Sequence, residues 1–185
     1  MKRSLTTSLA LAALLVAGSV RAAETLPAGA VDFGRLSPAG DGKFFEVSIK
    51  SNLINMVAKL AENHEPEAAK ILRGLKAVRV NVIGLNDENR ADIKERIAAV
   101  RSQLDRGDWE RIVTARQEGQ DIGVFIKLRG EEAVEGLVVT VINQDREAVL
   151  VNVVGDIRPS QIAQVGERLN IEPLKDLGRT INGDQ

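Results

Sequence analysis

Hydrophobic residues recur along this chain in two rhythms, and the places where one gives way to the other outline its elements. From Glu46, the residues Ile49, Leu53, Met56, Val57 and Leu60 fall at intervals of three and four, which predicts an amphipathic helix. A shorter helix follows, with Pro66 in its first turn, Ala68, Ile71, Leu72 and Leu75 on its inner face and Gly74 near its end. The period then drops to two. Val78, Val80 and Val82 alternate with Arg79 and Asn81, so the stretch from Lys76 to Gly84 reads as a strand. Asn86 or Asp87 caps a long helix whose inner face is Ile93, Ile97, Val100 and Leu104, and Gly107 closes it. Four strands come next, over 109–117, 121–129, 136–143 and 148–155. Short polar connections join them, as an antiparallel meander requires. Pro159 and Ser160 open a last helix carrying Ile162, Val165 and Leu169.

This order predicts an α+β fold: a five-stranded, mainly antiparallel sheet in β-α-β4-α order, with two additional N-terminal helices. The same element order occurs in the fold of TATA-binding proteins. Order alone carries no DNA binding with it. Residues 23–43, rich in Gly and Pro and without periodicity, read as a flexible leader. The single domain is expected over 44–175, and 176–185 reads as a loose tail.

The first 22 residues change the picture of where the protein works. Lys2 and Arg3 make a basic start, Leu9 to Ala17 is an unbroken apolar run, and Val20-Arg21-Ala22 offers small side chains where a signal peptidase reads. A cleavable signal peptide over 1–22 and a periplasmic mature protein are the expectation. No later segment approaches the roughly twenty apolar residues that a membrane-spanning helix needs. Removing Lys2, Arg3 and Arg21 from the 25 basic residues leaves 22 against 26 acidic ones, so the mature chain carries a formal charge of -4. That balance argues against nucleic acid, which calls for a concentrated basic excess. Aromatic residues are 3% of the chain and Tyr is absent, so platforms for stacking bases or sugars are scarce.

Candidate chemistry is thin. The chain has no Cys, which excludes thiol catalysis, disulfides and Cys-ligated metal. His64, the one histidine, lies between carboxylates in Glu62-Asn63-His64-Glu65 but has no spaced His partner, and no Gly-x-Ser-x-Gly elbow supplies a nucleophile. The acidic pairs Glu131-Glu132 and Asp105 with Asp108 sit in connections, where carboxylates are ordinarily solvated. Neither nucleotide-binding glycine motif is present. Trp109 reads as a half-buried corner. The expectation is a protein that is not an enzyme and uses no cofactor.

The sheet supplies the sharper idea. Strand alternation sets Val78, Val80, Val82, Ile122, Val124, Ile126, Leu128, Val149, Val151 and Val153 on one face, expected to carry the helices. Arg79, Asn81, Phe125, Lys127, Arg129 and Asn152 then share the other face with Ile83, Thr140, Ile142 and Leu150. This mixture of basic and apolar groups is the candidate surface for an envelope protein or peptide partner, unless the chain's own two N-terminal helices cover it. A small-ligand carrier or sensor, binding between sheet and helices, is the alternative.

The strand Ala148-Val149-Leu150-Val151-Asn152-Val153-Val154, followed by Gly155-Asp156-Ile157 and the helix led by Pro159-Ser160-Gln161-Ile162, resembles the C-terminal part of the bacterial family called domain of unknown function 4252. The resemblance extends over most of the mature chain and implies an exported or envelope-associated protein. It brings no catalytic or binding residues with it. Some such proteins look like lipoproteins, and this chain departs from them in lacking the lipid-accepting Cys.

Overall fold

A computed structural model describes residues 26–34, 36, 42–117, 119–130, 133–143 and 146–158. The expected signal peptide, the last helix from Pro159 and the tail lie outside the described residues. Elements follow in the order β1 (Phe44–Lys50), α1 (Ser51–Ala61), α2 (Pro66–Gly74), β2 (Leu75–Gly84), α3 (Arg90–Arg106), β3 (Glu110–Gln117), β4 (Gln120–Arg129), β5 (Ala133–Asn143) and β6 (Glu147–Ile157). The fold is α+β, with three helices and one antiparallel sheet of six strands in the order β1-β2-β6-β5-β4-β3.

The sixth strand corrects the sequence reading. Phe44 to Lys50 is not the start of a helix: it pairs antiparallel with β2, from Phe44 opposite Ile83 to Lys50 opposite Ala77. Val47 and Ile49 fit a period of two as well as they fit a helical stripe, and the run Phe-Phe-Glu-Val-Ser-Ile suits a pleated surface. The β2 strand, α3 and the β3 to β6 meander lie within a few residues of their expected positions. Pro66 occupies the first turn of α2. Ahead of α3, the Asn86 side chain accepts hydrogen bonds from the backbone N–H groups of Glu88 and Asn89, and Asn89 occupies the N-cap position.

One layer of core lies between α3 and the sheet. Ile93, Ile97, Val100 and Leu104 form the buried stripe of α3. They pack on Ile83, Phe125, Val138, Ala148 and Leu150, with Trp109 and Ile142 at the margin. The helix therefore covers the face that holds Asn81, Phe125 and Asn152. The valine-rich face that sequence assigned to the helices is on the opposite side. Polar residues misled the assignment, because Asn and Thr on a strand suggest solvent, whereas here most of them are hydrogen-bonded in the core.

Residues 26–34 and 36 complete that layer and depart from the expected leader. Val31, Phe33 and Leu36 are buried in the α3 core, while Asp32 and Gly34 point outward. Asn152 holds this segment. Its Nδ2 donates to the Gly29 carbonyl at 3.0 Å and the Leu137 carbonyl at 3.1 Å, and its Oδ1 accepts from the Val31 N–H at 2.9 Å. A backbone without regular structure cannot be buried unless its polar groups find partners, and a strand asparagine provides them here. Gly29, at φ +85°, lies so close to Gly136 and the Glu135 carbonyl that a Cβ would stand 2.2 Å from that oxygen.

Candidate functional site

The structure disperses the surface that sequence reasoning assembled. Asn81, Phe125 and Asn152 are all buried, at 1%, 0% and 4% exposure, on the face covered by α3 and by Val31, Phe33 and Leu36. At those three positions the face is closed, and what closes it is α3 with part of the supposed leader, not the two N-terminal helices. Arg79 is engaged: its Nε and Nη2 meet Glu46 at 3.1 and 2.9 Å, and its guanidinium lies 6.0 Å from the Phe33 ring centroid. Arg129 pairs with Asp156 at 2.6 Å near the surface. Lys127 is half-buried.

Beside the buried layer is an open cleft of about 830 Å³ between α3 and the β3–β4 hairpin. Arg101 lies at its floor, with Nε donating to the Thr140 hydroxyl at 2.8 Å and Nη1 to Asp121 at 2.6 Å. Thr140 in turn donates to the Gly123 carbonyl. Arg111 is clamped by Asp105 and lies 4.9 Å from the Phe125 ring centroid. Both guanidinium groups are therefore held in fixed orientations. Arg116, 76% exposed, stands at the rim 3.4 Å from Asp121. Together with Lys94, these groups give the cleft four basic side chains against Asp105 and Asp121, a polarity that suits an anionic ligand. Sequence reasoning missed this grouping, since its members come from α3, β3 and β4 and share no spacing.

The most exposed apolar surface is on α1. Leu53, Met56, Val57 and Leu60, members of the apolar stripe expected from the sequence, are 46%, 54%, 43% and 71% exposed. At about 100° of rotation per residue they fall within one arc of the helix. Ile54 and Ala58, buried, lie on the arc adjoining one edge of it, and Asn52, Asn55 and Lys59 fill the arc beyond its other edge. The helix is apolar over more than half its circumference and uses only part of that for its own packing. An isolated exposed leucine needs no explanation, but four large apolar side chains at i, i+3, i+4 and i+7 form one contiguous apolar patch.

His64 is exposed in the turn between α1 and α2. Asp105 is committed to Arg111, and Asp108 is exposed. Glu131 and Glu132 lie outside the described residues. Among the described residues, no helix is long and apolar enough to cross a membrane.

Comparison with known proteins adds the family and no activity. No curated protein and no solved structure matches the chain. The match to the family model runs from residue 39 to 165, spanning β1 through β6, both helices between β1 and β2, and the long α3. The chain belongs to the family described as Domain of unknown function (DUF4252).

Proposed function

We propose that this is an exported periplasmic protein, not an enzyme, that binds another envelope protein or peptide through the apolar stripe of α1. Export rests on the basic start, apolar run and Val20-Arg21-Ala22 of the first 22 residues. The binding reading is carried by one observation: Leu53, Met56, Val57 and Leu60 form a single exposed stripe on a helix anchored by its other side. Helix stripes of this kind recognise an apolar segment of a partner, with the flanking polar residues limiting promiscuity. Lys59 and the two asparagines would lie at the rim of such a contact. The absence of Cys and the exposed position of the single histidine support a role without catalysis.

A second reading has its own observation. The cleft beside Arg101 and Arg111, with oriented guanidinium groups, fits a small anionic ligand held between sheet and helix. The two readings separate in one experiment. The protein is crosslinked in the periplasm, recovered, and analysed by mass spectrometry for both bound protein and extractable small molecules. One stoichiometric protein, lost when Met56 and Leu60 are replaced by Asp, supports the first. A small molecule released on denaturation, and lost in an Arg101→Ala variant, supports the second. Full-length protein retaining Met1 and found in the cytoplasm would contradict export.

A further inference from the structure

The two edges of the sheet are guarded differently. At one edge, β3 carries Glu110, Arg111 and Arg116 and has an irregularity in register between Arg111 and Val113, and both features keep another strand from pairing. At the other edge, β1 is a run of seven residues that pairs with β2 without a break in register and holds neither Pro nor Gly. Phe44, Phe45, Glu46, Ser48 and Lys50 are exposed, and Val47 and Ile49 are half-buried. Among the described residues, no strand pairs with the outer side of β1. Its outward backbone N–H and C=O groups therefore form an open ladder, and an edge in this state recruits a further strand.

We propose that β1 pairs antiparallel with β1 of a second copy of this chain, about a two-fold axis through Val47, joining the two sheets edge to edge. The sequence of the strand selects this occupant. Opposed residues of an antiparallel pair point to the same face, so the axis must pass through a residue that faces itself. With Val47 at the axis, all seven residues are paired: Phe44 with Lys50, Phe45 with Ile49 and Glu46 with Ser48 of the other copy, and the reverse. On the face that carries Val78, Val80 and Val82, the seam is then wholly apolar, with Phe45 against Ile49 on either side of the Val47 pair. On the other face, the Ser48 hydroxyl can donate to Glu46 and the Phe44 ring stands opposite the Lys50 ammonium, so no like charges meet. Neighbouring registers lack this match. An axis through Glu46 opposes two carboxylates, and one through Ser48 leaves both phenylalanines without a strand partner. The pairing adds about six to eight backbone hydrogen bonds over a contact one strand wide, which suits a dissociable dimer and not an obligate one. Because α1 begins at Ser51, directly after β1, the dimer carries its two α1 stripes at opposite ends of the seam. The pairing does not depend on what the stripe binds, and either can fail without the other.

Sedimentation equilibrium of the full-length mature protein should show a concentration-dependent dimer. Phe45→Lys, which sets a charge against Ile49 from an exposed position, should weaken that dimer by about tenfold or more with an unchanged urea midpoint. The chain has no cysteine, so single introduced ones report the register. Val47→Cys should give a disulfide-linked dimer on mild oxidation, because opposed Cα atoms of a strand pair lie about 4.5 to 5.5 Å apart, within disulfide reach. Ser48→Cys should not, since its two copies stand out of opposition by two residues. Leu60→Cys, on α1, is the control for association through the apolar stripe. A monomer at every concentration, a dimer that Phe45→Lys leaves undiminished, no disulfide through Val47→Cys, or a disulfide through Leu60→Cys in preference to it would each overturn the proposal.

Discussion

Replacing Asn152 with Ala tests whether the N-terminal segment is a structural part of the domain. The asparagine makes three hydrogen bonds in a nearly dry site, to the Val31 N–H and to the Gly29 and Leu137 carbonyls. At about 1 kcal/mol net for each, their loss costs about 3 kcal/mol, and the orphaned backbone groups keep the figure from being smaller. Undocking this segment would let those groups reach water, but it would also expose Val31, Phe33 and Leu36. Burial of three such side chains contributes about 6 kcal/mol, twice the hydrogen-bond loss, so the segment should stay in place. The predicted outcome is thus a loss of about 3 kcal/mol in unfolding free energy with an unchanged urea m-value, because m follows the surface exposed on unfolding. Trp109, the sole Trp, packs at the margin of the α3 core beside Gly136 and provides the fluorescence signal. A loss below about 1 kcal/mol would show that the Asn152 hydrogen bonds do not hold the segment, and a clearly smaller m-value that its apolar side chains do not anchor it.

Other substitutions separate the parts of the fold. Gly29→Ala should be severely destabilising, since its Cβ would meet the Glu135 carbonyl at 2.2 Å, whereas Gly130→Ala, at φ +65° with open space around it, should cost only about 1 to 2 kcal/mol in thermal or urea unfolding. Phe125→Ala, removing a fully buried ring beneath α3, should cost about 3 to 5 kcal/mol by the same measurement. Asn81 is buried with neither amide atom partnered, so Asn81→Val should be neutral or stabilising in urea unfolding. A clear loss in that variant would show that the amide has a partner in solution, such as a bound water.

What could be read in the sequence followed from how consistently each segment kept one period. The stripe Ile93, Ile97, Val100, Leu104 admits only a helix, and the alternation in β2, β4 and β6 admits only strands, so these were legible. β1 was not, because Ile49 belongs equally to Val47-Ile49 and to Ile49-Leu53. The choice of the face that α3 covers failed for a physical reason. Valines at 78, 80, 82, 149, 151 and 153 make the more hydrophobic face, and hydrophobicity alone ranks it as the core. Satisfaction of Asn152 and Thr140 by groups distant in sequence, Gly29, Val31 and Arg101, makes the polar-flecked face buriable, and no local pattern records such partners. The α1 stripe was legible as a stripe. That it is exposed depends on Ile54 and Ala58 having taken the inner position.

The proposed function requires that α1 present a binding surface and not a misplaced core. Its most direct test is a Met56→Asp, Leu60→Asp double variant compared with the unaltered protein for partner capture in the periplasm and for stability in vitro. Because both side chains are more than half exposed, the urea midpoint should be nearly unchanged, while the stoichiometric partner is lost by tenfold or more. A variant that captures the same partner undiminished would contradict it, and so would one that unfolds, since the stripe would then be part of the protein's own core.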